Sequence, residues 1–344
     1  MMGPTVTDNQ PMSFYGVSVA ILPFPALGDI TIYLRLAWLM HRAGAQVYFP
    51  SNALHPAREY FPWLKVQLEE DAALVELALN YDLVIACFEK YYCQKVALQL
   101  AAGLLNVAFV SAKKIPRNAG IQGRKVVVRG RHFSNASKAF CGNSGAGLTM
   151  VDWINAYASN VFSIDVEKYG GHLLSKPDEK KADRLVLIFP TTPQSKKNYW
   201  LAGFKLLGRA IRRRGWRVEF VGMPREQQVL EAALSGFKVN SFANIKGLID
   251  YVSTASVVIS NDSGGGHLAS LMGLPTFTIT RRGEHFVWRP GFNQHNTVLY
   301  PRFRFKLLGR YVWRPFVPVW HIAAKLGSPV GSPPNQAMHV GRKE

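Results

Sequence analysis

The chain is poor in cysteine and in negative charge. Three cysteines in 344 residues (Cys87, Cys93 and Cys141) form no Cys-x-x-Cys pair and leave an odd one over. That pattern argues against a disulfide framework or a structural zinc site and suits a reducing cytosol. No apolar run approaches the ~20 residues of a transmembrane helix. The longest candidates, 96–110 and 249–259, are broken by Gln, Gly, Asn or Ser and read as buried α/β elements. The opening residues MMGPTVTDNQPM lack the basic-then-apolar order of a signal peptide, so a soluble cytoplasmic protein is expected. There is no GxxxxGK[ST] loop, no HExxH, no GxSxG and no spaced His/Cys cluster. No Asp-x-Asp pair occurs either, so a diphosphate held through a metal on such a pair has no support.

The scarcity of acid is matched by an excess of base. Forty-one Lys+Arg against 22 Asp+Glu leave a formal charge of +19, which calls for an anionic partner: nucleic acid, an anionic membrane surface or a phosphorylated substrate. Between Glu89 and Asp152 there is no carboxylate, while Lys113, Lys114, Arg117 and Arg124 accumulate with other basic residues. This stretch reads as the seat of an anionic acceptor, against the plainer reading of a solvated face. The basic residues are not interleaved with aromatics in a nucleic-acid-reading motif, so nucleic acid is the weaker partner. A second run, residues 302–315, mixes Arg and Lys with Phe, Leu, Tyr and Trp. It reads equally as a membrane-interface segment or as a C-terminal helix packing its rings into the core.

Strand and helix patterns alternate. A continuous apolar run at 17–22 predicts a strand buried on both faces. A helix over 30–42 opened by Asp29 and a strand at 46–49 complete a βαβ unit. Further strands are predicted at 82–87 and 107–110. Periodicity is weak from 113 to 169. After a polar hinge at 175–184 a second series follows: strand 185–189, helix 199–214, strand 217–221, helix 226–234, strand 257–260, helix 265–272 and strand 276–279. At ~100–200 residues per domain, the length suits two. The fold class expected is α/β, two Rossmann-like domains with a cleft between them. Residues 1–14 and 327–344 are expected to be disordered ends flanking domains at 15–175 and 185–326, with the last helix packing back on the first domain.

Three turns could carry chemistry. In Asn261-Asp262-Ser263-Gly264-Gly265-Gly266-His267-Leu268 a strand runs into a helix through three glycines. Glycines let backbone N–H groups approach an anion, and a helix start adds free donors and a positive dipole end. Ser263 adds a hydroxyl, and His267 a further donor or a positive charge. The plain alternative makes Asp262 or Ser263 an N-cap and packs His267 on the sheet. The loop Phe189-Pro-Thr191-Thr192-Pro-Gln-Ser-Lys196-Lys197 offers two hydroxyls and two ammonium groups at a strand mouth, as a phosphate requires. Both loops follow strand ends of one sheet, where open α/β sheets bind ligands. In Leu27-Gly28-Asp29 the carboxylate is either an N-cap or a base facing the cleft, and the two roles are compatible.

These three segments, in this order and spacing, resemble glycosyltransferase family 9, which contains the ADP-heptose:lipopolysaccharide heptosyltransferases. The resemblance covers roughly residues 15–325 and is strongest from 185 to 300. It implies the GT-B fold, with the acceptor on the first domain and the nucleotide-sugar on the second, and transfer with inversion, without a metal. No resident cofactor is implied; the nucleotide-sugar, ADP-heptose, is a substrate. By motif, Asp29 takes the general-base position and Lys196 the phosphate-binding lysine, with Lys197 a near competitor. Ser263, Gly264 and Gly265 fall on the pyrophosphate turn with His267 as its histidine, and Glu226 lies near the ribose-binding acid. Thr191, Thr192 and Asp262 complete the donor set. The acceptor is expected to be an anionic glycolipid or phosphorylated glycan, and the protein a monomer at the cytoplasmic face of a bacterial inner membrane. Pro23-Phe24-Pro25-Ala26 before Gly-Asp and Ile32-Tyr33 after it depart from the family pattern on the acceptor side. The rival classes are a GT-B-like nucleotide-sugar epimerase, which needs a carboxylate pair that the sequence does not display, and a basic nucleic-acid-binding protein with a vestigial sugar site.

Overall fold

The computed structural model describes residues 13–327 apart from 70–73, 97–103, 170, 172, 176–181 and 183. The side chain of Cys93, most of the expected hinge and the expected flexible tail therefore lie outside the described residues.

Two six-stranded parallel sheets follow the same plan. In the first half, β1 (Ser18–Leu22), β2 (Gln46–Pro50), β3 (Lys65–Gln67), β4 (Leu83–Cys87), β5 (Val107–Ser111) and β8 (Lys138–Ala139) run in the order β3-β2-β1-β4-β5-β8. In the second, β9 (Leu185–Phe189), β10 (Arg217–Val221), β11 (Lys238–Asn240), β12 (Val257–Asn261), β13 (Thr276–Ile279) and β14 (Asn296–Leu299) run in the order β11-β10-β9-β12-β13-β14. The central strands SVAIL, LVIAC, LVLIF and VVISN are almost wholly buried, as parallel strands covered on both faces must be. The order reverses direction beside β1 in one sheet and beside β9 in the other. Helices leaving neighbouring strands there go to opposite faces, and a crevice opens above β1/β4 and above β9/β12.

The helix after β1, α1 (Leu27–Arg42), is buried on nearly every side. Its neighbours account for that: besides its own sheet it packs on α3 (Met150–Phe162) and on α7 (Gly264–Leu271) of the other half. A continuous core thus includes Ile32, Leu36 and Leu39 of the first half with Leu268, Ala269 and Val252 of the second. The Met150 amide donates to the Val287 carbonyl at 2.9 Å across the halves. Lys246 bridges them again, lying 3.0 Å from Glu59 and 3.0 Å from Asp250, and Tyr60 donates to Asp250.

Several local expectations change. Phe14, placed in the disordered N-terminus, is fully buried against Phe133 and Phe162. The weakly periodic stretch after 113 contains α3, held by a reciprocal cap: Asp152 N donates to Thr149 Oγ1 at 3.1 Å and Thr149 N to Asp152 Oδ2 at 2.7 Å. α8 (Trp320–Leu326) does not take up the expected place on the first domain. It packs on α4 (Leu201–Arg212), its Ile322, Ala323 and Leu326 join the second core, and Trp216 Nε1 donates to the Leu326 carbonyl. The basic-aromatic run forms no α-helix, only a 3-10 turn at its end, Arg314–Phe316. It is an antiparallel hairpin, β15 (Phe305–Leu307) and β16 (Arg310–Val312); β6 (Val126–Val128) and β7 (Arg131–Phe133) form another.

Candidate active site between the two sheets

α1 and α7 begin at the two crevices, and their first turns meet. A Cβ on Gly28 would lie 3.6 Å from His267 Cδ2 and 3.9 Å from Gly264 Cα. The glycine run also has a packing reason in what surrounds it. A Cβ on Gly264 would come within 2.8 Å of Leu27 Cβ, on Gly265 within 2.5 Å of the Phe189 ring, and on Gly266 within 2.4 Å of Ser260 Oγ. Packing of α7 against α1 and its own sheet excludes side chains at all three.

The donor groups stand at the edge of that contact. Ser263 is the N-cap of α7 by backbone conformation, yet its hydroxyl makes no capping bond and is buried without a hydrogen-bond partner. Asp262, 8% exposed, receives Lys197 Nζ at 3.1 Å. Lys197 is half-buried and close enough to act electrostatically on Asp29 and His267, whereas Lys196 is exposed on the same turn. His267 is buried edge-on to Trp288. Burial holds its pKa below the ordinary value, against the opposing pull of Asp262, so it offers a neutral ring and not a positive charge. Its Nδ1 has no partner.

The loop carrying the lysines is tied down from three sides. Asn261, fully buried, donates to the Pro190 carbonyl at 2.7 Å and accepts from the Tyr199 amide at 3.0 Å. Asn198 Oδ1 accepts from the Thr192 amide and hydroxyl at 2.9 and 2.7 Å, so Thr192 is spent on the loop itself. Arg314 donates to the Asn198 carbonyl at 2.6 Å and the Ser195 carbonyl at 3.3 Å. Thr191 Oγ1 donates to Glu226 Oε2 at 2.9 Å, which puts Glu226 at the mouth of β9.

Opposite α7, Asp29 is the third residue of α1. The N-cap is Ala26, without a side-chain bond, because the turn after Pro23 and Pro25 starts the helix earlier than expected. The N-cap reading of Asp29 therefore falls. Burial raises its pKa to about 6, and Glu89 adds to the rise while Lys113 and Lys197 oppose it. Glu89 was not legible as a site residue. It follows β4 at the switch point and accepts from Ser111 Oγ at 2.5 Å and from the Cys87 thiol at 3.2 Å. The usable signal was a carboxylate two residues beyond a fully apolar strand. Tyr33, on the next turn of α1, buries its ring beside Cys87, and burial lifts its pKa well above the ordinary value. Of the cations expected to meet an acceptor, Lys113 reaches the field of Asp29. Lys114 and Arg117 are exposed on the same loop and Arg124 is half-buried further along it; they are not drawn into the cluster. Among the described residues no three His, Cys, Asp or Glu side chains gather as a metal set.

The family model for glycosyltransferase family 9 (heptosyltransferase) matches residues 144–304, the span from the start of α3 to the far edge of the second sheet. Over that span the chain resembles glycosyltransferase family 9. Solved structures of heptosyltransferases share its whole fold. E. coli heptosyltransferase WaaC with ADP has a TM-score of 0.61 at 13% identity, over 90% of this chain and 98% of that one. E. coli ADP-heptose lps heptosyltransferase II has 0.62 at 12%, over 90% and 97%. WaaC with ADP-2-deoxy-2-fluoro heptose has 0.56 at 13%, over 85% and 94%. No curated protein matches the chain in sequence. The architecture is the GT-B fold of these heptosyltransferase structures.

Proposed function

We propose that the enzyme moves a heptose from ADP-heptose, with inversion and without a bound metal, onto an anionic glycan of the lipopolysaccharide-core kind. One observation carries the reading: the starts of α1 and α7 abut, which brings the buried Asp29 carboxyl within electrostatic reach of Lys197 and near the turn whose Ser263 hydroxyl has no partner. The similar structures solved with ADP and with an ADP-heptose analogue favour the donor class.

In this reading the diphosphate lies against the start of α7, with Ser263 and the free amides of its first turn as donors. Lys197 leaves Asp262 to meet it, in preference to the exposed Lys196. Asp29 takes the proton of the acceptor hydroxyl as that oxygen attacks the anomeric carbon. The bond to the diphosphate breaks on the opposite side of the sugar and its electrons leave with the phosphate oxygen. The charge gathering there is held by Lys197 and the helix-start amides, which act more strongly as it develops. A carboxyl with a pKa near 6 suits a base working near neutrality. Lys113, with Lys114 and Arg117 beside it, would draw in the acceptor's phosphates.

The test is a transfer assay with ADP-, GDP-, UDP- and dTDP-linked sugars in EDTA, using a phosphorylated core oligosaccharide. Transfer from ADP-heptose alone, unaffected by EDTA, is the expected result. Dependence on an added metal, or conversion of the donor to an isomer without any acceptor, overturns the reading.

A further inference from the structure

The β15–β16 hairpin exposes large apolar side chains that no part of the described fold covers. Leu308 is 95% exposed, Phe303 68% and Leu307 57%, and Phe305 and Tyr311 are also open to solvent. Phe303 and Phe305 both meet the ring of Phe316 at the hairpin's base. Scattered exposed apolar groups need no explanation, but a contiguous set on one short hairpin does.

The turn sharpens the point. Leu307 pairs with Arg310, leaving Leu308 and Gly309 as a two-residue loop in which both φ values are positive, +48° and +74°. Such turns favour Asn-Gly or Gly-Gly, because a Cβ is disfavoured at positive φ. A leucine there is strained and buries nothing within the chain. It is the wrong residue for a free loop and the right one for a tip that enters something apolar.

Charge says what that is. No Asp or Glu occurs between Glu284 and Glu344, and Arg302, Arg304 and Lys306 alternate with the exposed rings. Aromatic and leucine side chains at headgroup depth, with cations beside them, match the interface of an anionic bilayer. We infer that the β15–β16 hairpin is a membrane-docking element that inserts its Leu307–Leu308 tip into an anionic lipid surface. Arg314, at the hairpin's base, also grips the carbonyls of Ser195 and Asn198, so docking would hold the lysine loop at a fixed height over the membrane. The inference stands whichever sugar is transferred.

The experiment is flotation of the full chain with vesicles of phosphatidylcholine alone or with one third phosphatidylglycerol. Binding is expected to the anionic vesicles and to weaken with salt. Leu308→Asn suits the turn and removes the apolar tip. It should keep or raise the melting temperature, keep transfer to a soluble acceptor, and weaken vesicle binding roughly tenfold, as loss of a buried leucine predicts. Lys306→Glu should weaken binding to anionic vesicles as well. Absence of vesicle binding, or binding that L308N leaves unchanged, overturns the proposal. So does RNA binding that L308N leaves intact while vesicles are ignored, which would assign the surface to nucleic acid.

Discussion

Asp29 carries the sharpest consequences. Its pKa of about 6 in the folded chain stands above the ordinary 3.8, so the folded state holds that proton more tightly than the unfolded one. The stability this confers is complete below about pH 4 and is lost as pH rises through 6. At neutral pH the ionised carboxylate therefore costs on the order of 1–3 kcal/mol. Asp29→Asn should raise the melting temperature while cutting kcat by ~10² or more. With the native residue, kcat/KM should fall as pH drops below about 6, because the base is then protonated. A variant with near-normal turnover, or a profile flat down to pH 5, would remove Asp29 from the chemistry. The lysine pair separates in the same way. Lys197→Ala should weaken ADP binding about tenfold or more, for loss of a charge-assisted contact, and Lys196→Ala by less than about twofold, as for an exposed charge. Calorimetric titration with ADP reads both, and the opposite ranking would restore Lys196 as the phosphate ligand. Adjacent lysines look alike in a sequence; only the pairing of Lys197 with buried Asp262 distinguishes them.

At the scale of elements, the glycine run of α7 has a packing reason of its own. The three glycines mark the helix start that faces the other half, but the atoms excluding a side chain are those of Leu27, Phe189 and Ser260. Gly265→Ala should overpack the Phe189 ring and cost about 1–3 kcal/mol, with a lower melting temperature and weaker ADP binding, since Phe189 leads into the Pro190–Lys197 loop. Unchanged stability would mean the ring moves aside freely. The buried strands were legible because a parallel strand covered on both faces needs an unbroken apolar run, and LVLIF begins and ends where such a run does. α3 was missed although Thr149-Met-Val-Asp152 is a capping box before an apolar helical stretch; the basic loop before it masked the period. The hairpin was missed because Leu-Gly is a poor turn signal, which is the observation that its docking role explains.

The whole molecule is less divided than its two sheets suggest. One hydrophobic core runs from α1 and α3 into α7 and α6 (Ile245–Ser253), and the Lys246 cluster ties the halves a second time. Far-ultraviolet circular dichroism and tryptophan fluorescence should therefore report a single coincident thermal transition, shifted upward by ADP. Two resolved transitions would mean that the halves unfold separately and that the shared core contributes little. No helix among the described residues is long and apolar enough to cross a membrane.

What the amino-acid order determines unaided is local and periodic: which runs must be buried strands, and that a serine, two lysines and an aspartate stand at strand mouths. These follow from side-chain hydrophobicity and from backbone donors left free at helix ends, neither of which needs a distant neighbour. Tertiary structure decides the rest. Glu89 meets Asp29 only because β4 lies beside β1, Lys197 rather than Lys196 turns inward only because Asp262 waits across β9 and β12, and Asp29 titrates near 6 only because its surroundings exclude water. Each depends on residues far apart in the chain, whose electrostatic and packing energies appear only when the two sheets close on each other.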